Sequence, residues 1–332
     1  MLLLSDRDIV ALLPMDACME AMADVLRTLA TGGAVLPLRT VMRLPNGSNA
    51  FAVMPAYIGS PEAVGAKVIT VFPGNDATPL DSHQGAVLLF DPAHGELRAI
   101  LDASSITAIR TAAVSGVATR ALARDDAHDL AILGAGVQAQ THLDAMMAAR
   151  AIDRVRVWSR TTANAEAFVQ RNAGRYSMSI EAVAGARAAV EGADIICTVT
   201  ASRTPVLEGA WIAPGAHINA VGASLSTARE LDSAAVARSS LFVDRRESAL
   251  NEAGDFLIPK SEGAIGDDHI RGELGQVLTG AAPGRERPDE ITLFKSLGLA
   301  IEDLAAAYHV YVQAVHHGAG VRVELGGLRH AE

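Results

Sequence analysis

The sequence predicts an α/β protein in two parts: a Rossmann-type, doubly wound parallel sheet, and an α/β domain built on an antiparallel sheet. Three observations carry this. Gly134, Gly136 and Ala139 stand at G-x-G-x-x-A spacing, directly after the apolar run Leu130-Ala-Ile-Leu133 and ahead of a helix-forming stretch. From there to Asp244, short apolar strands alternate with helical segments, the pattern of parallel βαβ units. Between Arg39 and Leu101, short apolar runs follow one another with turn-forming connections, the pattern of an antiparallel sheet.

Taken in order, Ser5 caps a helix that reaches Leu13, and Pro14 opens a second in which Cys18, Met22, Val25, Leu26 and Leu29 recur at helical spacing. Thr31-Gly-Gly33 ends it. Strands are expected over residues 40–44, 50–54, 65–72, 85–90 and 97–101, with turns at Pro45-Asn-Gly47 and Asp91-Pro-Ala-His-Gly95, and with helices on one face of the sheet. Ser104 or Ser105 caps a small-residue helix over 106–122 that carries the chain into its second domain. There the strand 130–133, the glycine turn and a helix lead to the strand Val155-Arg-Val-Trp158, closing a βαβ unit. A helix over 163–172, strands over 193–200 and 217–222, a helix over 229–238 and a strand over 241–244 complete the pattern. Residues 280–288, rich in Gly and Pro, read as a mobile surface loop. The last helix, 296 to about 316, has no strand after it and is expected to pack back on the first domain. The boundaries are therefore 1–115 with 297–332, and 116–296.

Half of the 332 residues are hydrophobic, enough for two large cores. The net charge is −10 and no long basic block occurs, which argues against nucleic acid or an anionic membrane as partner. Ser5-Asp-Arg-Asp8 interrupts the apolar start at once, so no signal peptide or membrane span is expected and the chain reads as cytoplasmic. Cys18 and Cys197, far apart and in apolar surroundings, read as core residues. No metal is expected: Asp125/Asp126 and Asp267/Asp268-His269 lack a third ligand at a fixed spacing.

The fingerprint carries a dinucleotide. Gly134 permits the tight turn, Gly136 lets the backbone approach a pyrophosphate, and Ala139 lets the helix pack closely on its strand, leaving the N–H groups of Val137 and Gln138 for the phosphates. At the end of the second strand, Val157-Trp-Ser-Arg-Thr161 contains no carboxylate to hold ribose hydroxyls. Arg160 can pair with a 2′-phosphate while Ser159 and Thr161 donate hydrogen bonds, so NADPH is favoured over NADH; otherwise Arg160 merely begins a solvated helix. Arg110 offers a planar fork for a substrate carboxylate, or else makes an interdomain ion pair. Lys67 interrupts an apolar strand. On the buried face its pKa would fall into the range useful for proton transfer; on the other it would simply be solvated. His83 and Gln84 open a strand, and His142 and His217 read as structural.

Five stretches, Ser82-His-Gln-Gly-Ala-Val-Leu-Leu-Phe90, Ile106-Thr-Ala-Ile-Arg-Thr-Ala-Ala-Val114, Ile132-Leu-Gly-Ala-Gly-Val-Gln-Ala139, Pro214-Gly-Ala-His-Ile-Asn-Ala-Val-Gly-Ala-Ser224 and Phe294-Lys-Ser-Leu-Gly298, resemble the ornithine cyclodeaminase/mu-crystallin family, in particular its ketimine reductase branch. The resemblance implies a Rossmann domain inserted into a substrate-binding domain that mediates homodimerisation. Members reduce cyclic imino acids, cyclise ornithine or lysine with loss of ammonia, or interconvert 2-oxo acids and amino acids. It makes Arg110 the carboxylate anchor, Arg39 a second basic residue near that carboxylate, Lys67 the active-site lysine, and His83 a cleft residue. Ser224 stands where cyclodeaminases carry an aspartate, and a lone hydroxyl is a poor base for activating water or an amine. The expected cofactor-binding set is Thr111, Gly134, Gly136, Val137, Gln138, Ser159, Arg160, Thr161, Thr198, Val199, Thr200, Val221 and Gly222. The activity implied is NADPH-dependent reduction of Δ1-pyrroline-2-carboxylate or Δ1-piperideine-2-carboxylate to L-proline or L-pipecolate. The alternatives are an ornithine cyclodeaminase, an alanine-type amino-acid dehydrogenase, or a non-catalytic NADPH-dependent binding protein.

Overall fold

A computed structural model describes residues 1–45, 47 and 49–326. Two compact units emerge: Met1–Arg110 with the chain from Leu299 onward, and Thr111–Gly298.

The first unit begins with strand β1 (Leu2–Leu4) and helices α1 (Asp6–Leu12) and α2 (Met15–Ala30). Ser5 and Asp8 cap α1 reciprocally, the Asp8 carboxylate taking the Ser5 N–H at 2.9 Å. Cys18, Met22, Val25 and Leu26 form the buried stripe of α2. Strands β2 (Ala34–Val35), β3 (Thr40–Arg43), β4 (Ala50–Gly59), β5 (Glu62–Val71), β6 (His83–Phe90) and β7 (Leu97–Asp102) follow. β4 and β5 pair over their full ten residues, longer than their apolar runs suggest. The expected turn at Pro45-Asn-Gly47 includes residue 46, outside the described residues. Helix α3 (Ala103–Leu122) starts earlier than expected because its cap is Asp102, whose carboxylate accepts the Ser105 N–H at 2.8 Å. Ser104 instead donates to the His83 carbonyl at 2.6 Å.

The second unit alternates strand and helix: β8 (Asp129–Leu133), α4 (Val137–Ala149), β9 (Arg154–Trp158), α5 (Thr162–Asn172), β10 (Ser179–Ala182), α6 (Ala186–Val190), β11 (Ile195–Thr198), β12 (His217–Ala220), α7 (Ser233–Ala237), β13 (Ser240–Val243), α8 (Arg246–Glu252), α9 (Gly254–Ser261), β14 (Ile270–Glu273), α10 (Leu274–Leu278) and β15 (Thr292–Lys295). All eight strands are parallel, in the order β10-β9-β8-β11-β12-β15-β13-β14, so the winding reverses between β8 and β11. The central strands β11, β12 and β15 are buried on both faces, and the polar residues they carry, among them His217, Asn219 and Thr292, are hydrogen-bonded inside the sheet. His142 and His217 are fully buried; their rings meet Gln138 O and Ser115 Oγ, and Thr292 Oγ1 and Asn219 Oδ1, and desolvation pushes their pKa values down to about 4 and about 3.

In this unit three expectations are corrected by the structure. The helix over 229–238 shrinks to α7, since the N–H groups of Glu230 and Leu231 go to the Asp255 carboxylate and Asp232 caps the helix. β15 was not anticipated, although it lies inside the sheet. Residues 280–288 are irregular but tied down: Arg285 donates to Leu122 O at 2.8 Å and to Thr292 Oγ1 at 2.9 Å, and Glu290 accepts the Glu286 N–H at 2.7 Å.

The chain then returns to the first unit as α11 (Ala300–His317) and β16 (Val321–Arg322). A strand therefore does follow the last helix. The sheet runs β16-β1-β7-β6-β5-β4-β2, with β3 also on β4, and it is mixed rather than wholly antiparallel because β1 and β7 are parallel. α11 packs on α2, β4, β5 and β6. Gly65 allows this contact: a Cβ there would lie 2.3 Å from Leu88 O and 2.8 Å from Leu304 Cδ1. On the opposite face Phe51, Val53, Tyr57, Val64, Val68 and Leu88 are only half-buried.

Candidate active site

Strand alternation places Lys67 with Ala63 and Ile69 on the helix-covered face of β5, and the residue is 4% exposed. Arg110, on α3, is equally buried. Both cations meet the first turn of α11, whose Glu302 and Asp303 are completely buried. One oxygen, Asp303 Oδ1, accepts from Lys67 Nζ at 3.2 Å and from Arg110 Nε at 2.8 Å. Glu302 Oε2 accepts from the Arg110 guanidinium at 2.8 Å and from the Leu299 N–H at 3.1 Å. Arg110 is thus ion-paired, to two carboxylates of its own unit.

Burial lowers the Lys67 pKa to about 8; Asp303 opposes that shift while the charges of Arg110 and Arg39 reinforce it. Arg39, half-buried ahead of β3, is therefore electrostatically part of this cluster. His83 is surface-accessible at the start of β6, its Nδ1 3.0 Å from Ser82 Oγ; desolvation and then the Lys67 charge lower its pKa. Gln84 turns away, donating to Asp81 O at 3.2 Å. Sequence reasoning missed Glu302 and Asp303. The available signal was a pair of acids in the first turn of an otherwise apolar helix.

In the second unit the glycine turn is sterically required. Gly134 has φ +128°, and a Cβ there would lie 2.6 Å from Val199 O. Ala139 is fully buried against β8's unit core, whereas a Cβ on Gly136 would meet nothing within 4 Å, so the first turn of α4 has an open approach. No side chain caps α4, and Gln138 Oε1 is buried there without a hydrogen-bond partner. At the end of β9, Ser159 is half-buried, and Arg160 is exposed and has no ion pair or hydrogen-bond partner among the described residues. Thr161 precedes α5 without capping it through its side chain. An open glycine turn at a helix N-terminus suits the pyrophosphate of a dinucleotide, and the exposed guanidinium beside two hydroxyls could hold a further polar group of it.

The ends of β11 and β12 are joined by Glu230, another residue sequence reasoning missed. Its fully buried carboxylate accepts from Thr198 Oγ1 (2.9 Å), from the Thr200 N–H and hydroxyl (2.6 and 2.7 Å), and from the Gly222 N–H (2.7 Å). Behind it, buried Asp255 holds the Glu230 N–H at 2.8 Å and the Lys295 ammonium at 2.9 Å, and Lys295 donates to Ala223 O at 2.6 Å. Ser224, next along, is exposed. Val199 and Thr111 are buried, Val221 half-buried. Among the described residues no group of three or more His, Cys, Asp or Glu could hold a metal ion.

A parallel sheet with its glycine turn beside the reversal of winding defines a dinucleotide-binding α/β protein, here carrying a buried Lys–Arg–carboxylate cluster in its other unit. Residues 1–318 match the ornithine cyclodeaminase/mu-crystallin family, and the chain belongs to it. It is 44% identical to mouse (Mus musculus) ketimine reductase mu-crystallin over 84% of this chain and 85% of that protein. Δ1-pyrroline-2-carboxylate reductase from Bacillus cereus is 38% identical over 98% of this chain and all of its own. The solved structure of Thermococcus litoralis Δ1-pyrroline-2-carboxylate reductase, in complex with NADH and L-proline, superposes with a TM-score of 0.95 at 42% identity, covering 97% of this chain and 100% of that one.

Proposed function

We propose that this protein reduces the C=N bond of a cyclic imino acid, Δ1-pyrroline-2-carboxylate or Δ1-piperideine-2-carboxylate, giving L-proline or L-pipecolate. The observation that carries this reading is the buried Lys67, held charged beside Arg110 by a shared carboxylate and with a pKa near 8. It is supported by the relatives named ketimine reductase and Δ1-pyrroline-2-carboxylate reductase, which match 84% and 98% of this chain.

A nicotinamide cofactor, when bound, supplies the hydride. Val137, Gln138 and the open turn at Gly136 hold its pyrophosphate, and Arg160 with Ser159 and Thr161 holds a 2′-phosphate, which favours NADPH over NADH. Thr111 and the strand-end residues Thr198, Val199, Thr200, Val221 and Gly222 hold the rest. Arg110, with Arg39 and His83, binds and orients the substrate carboxylate. Lys67 holds a proton for the imine nitrogen: at neutral pH it is mostly charged, yet far more acidic than a solvated lysine, so it can release that proton as the imine becomes an amine. Ser224 orients the imine or a water, and with no carboxylate at that position the site favours reduction over cyclodeamination.

The first unit is read as the substrate-binding and dimerisation part, pairing through the half-buried apolar face of its sheet, and the second as the cofactor-binding part. No helix among the described residues is long and apolar enough to cross a membrane, and a cytoplasmic location is proposed. The test is a panel of pyrroline-2-carboxylate, piperideine-2-carboxylate, pyruvate with ammonia, and ornithine, read by NADPH absorbance and ammonia release. Rapid NADPH oxidation with the cyclic imines is expected. Ready release of ammonia from ornithine would replace this reading with a cyclodeaminase.

A further inference from the structure

We propose that Asp303 is a positioning residue for imine reduction, a single buried carboxylate oxygen that sets the direction and charge of Lys67 against Arg110. The inference rests on the reading that Lys67 supplies the proton. It starts from an asymmetry within one side chain: Oδ1 takes both Lys67 Nζ and Arg110 Nε, while Oδ2 is buried with no hydrogen-bond partner. An ionised carboxylate at zero exposure is costly unless both of its oxygens are satisfied. Here one atom instead joins cations from two elements, β5 and α3, and holds them on either side of itself.

The choice of cation fits the same role. Of 28 basic residues only Lys67, Lys260 and Lys295 are lysine. A buried lysine can titrate near neutrality, which an arginine cannot. Lys67 is faced by Asp303 from α11, Arg110 from α3, Arg39 from the segment before β3, and His83 from β6, while Glu302 of α11 pairs with Arg110. Cys18 of α2 lies near Arg110 and Glu302, and burial pushes its thiol up, so it stays neutral. Burial and two guanidinium charges drive the proton off Lys67; Asp303 is what keeps it on.

The experiment uses protein labelled with ¹³C at the lysine Cε, in which three signals are assigned with Lys67→Arg and Lys260→Arg. In wild type the Lys67 signal should titrate near pH 8. In Asp303→Asn, and in Asp303→Ser should the first not fold, it should move down by about one pH unit or more. The basic limb of the kcat profile should move with it, and Asp303→Glu should restore both. In a Lys67→Met background, Asp303→Asn should leave no further change in the kcat profile. A Lys67 titration unmoved by both neutral variants would overturn the proposal. Failure of the wild type to reduce any imine would instead overturn the functional reading, and the titration would still report whether Asp303 controls Lys67.

Discussion

The Glu230 carboxylate accepts the Gly222 N–H at 2.7 Å and so ties the end of β12 to the end of β11, where it also holds Thr198 and Thr200. Gly222 cannot be replaced at this junction, since a Cβ would lie 2.1 Å from Thr200 O. Glu230→Gln keeps the side-chain size but sets an NH₂ group against donors that need an acceptor. It should cost about 1–3 kcal/mol of stability, and it should weaken cofactor binding because both strand ends shift together. Thermal unfolding and a fluorescence titration with NADPH would check this; unchanged values for both would mean the Glu230 hydrogen bonds are dispensable.

Arg160 gives a cofactor prediction. Exposed and unengaged by protein, it is available to the 2′-phosphate that distinguishes NADPH from NADH. Arg160→Ala should weaken NADPH by about one to two orders of magnitude, the value of a charge-assisted contact, and NADH hardly at all. Equal losses for the two cofactors would assign Arg160 no part in reading the phosphate.

The half-buried sheet face predicts association. Val53, Val68 and Leu88 lie in adjacent strands on one surface, and a contiguous apolar face of this kind favours a self-complementary dimer. Light scattering should give twice the 34.5 kDa protomer mass at micromolar concentration, and Leu88→Arg should shift the protein toward monomer. A wild-type monomer under those conditions would be inconsistent with the face serving as an interface.

Much of this architecture was legible in local pattern. The glycine turn, the βαβ alternation and the two N-terminal helices each depend on residues close in sequence, so spacing alone exposes them. Lys67 was legible as an interruption of an apolar strand, but its partner was not: Asp303 is 236 residues away, and its contact exists only once α11 lies on β5. The same holds for Glu230, which looked like part of a helix because the Asp255 carboxylate that diverts its backbone N–H comes from a later segment. β15 was hidden for a different reason. Its last residue is Lys295, and a lysine at the end of a four-residue strand reads as a boundary unless the buried Asp255 waiting for it is known.

Ser224 tests the branch of chemistry. Exposed at the loop that Lys295 anchors through Ala223 O, its hydroxyl has no basic partner among the described residues. Ser224→Ala should therefore keep measurable imine reduction, with kcat lowered by less than the loss of a general acid would cause. A collapse of activity as large as that of a Lys67 variant would make the hydroxyl part of the proton path.

The most direct test is the pH dependence of kcat for pyrroline-2-carboxylate in wild type and Lys67→Met. Lys67 carries its proton below its pKa near 8 and loses it above, so the wild-type rate of reduction should fall as pH rises through that value. Lys67→Met should lower kcat by about 10²–10⁴-fold below pH 8, the usual worth of general acid assistance, and should lack that limb, so the deficit should narrow as pH rises above that value. Arg110→Ala, by contrast, should act first on KM, because the carboxylate it binds is present in ground and transition states alike. Superimposable profiles for wild type and Lys67→Met would contradict the account, leaving Lys67 at most a second anchor for the carboxylate beside Arg110.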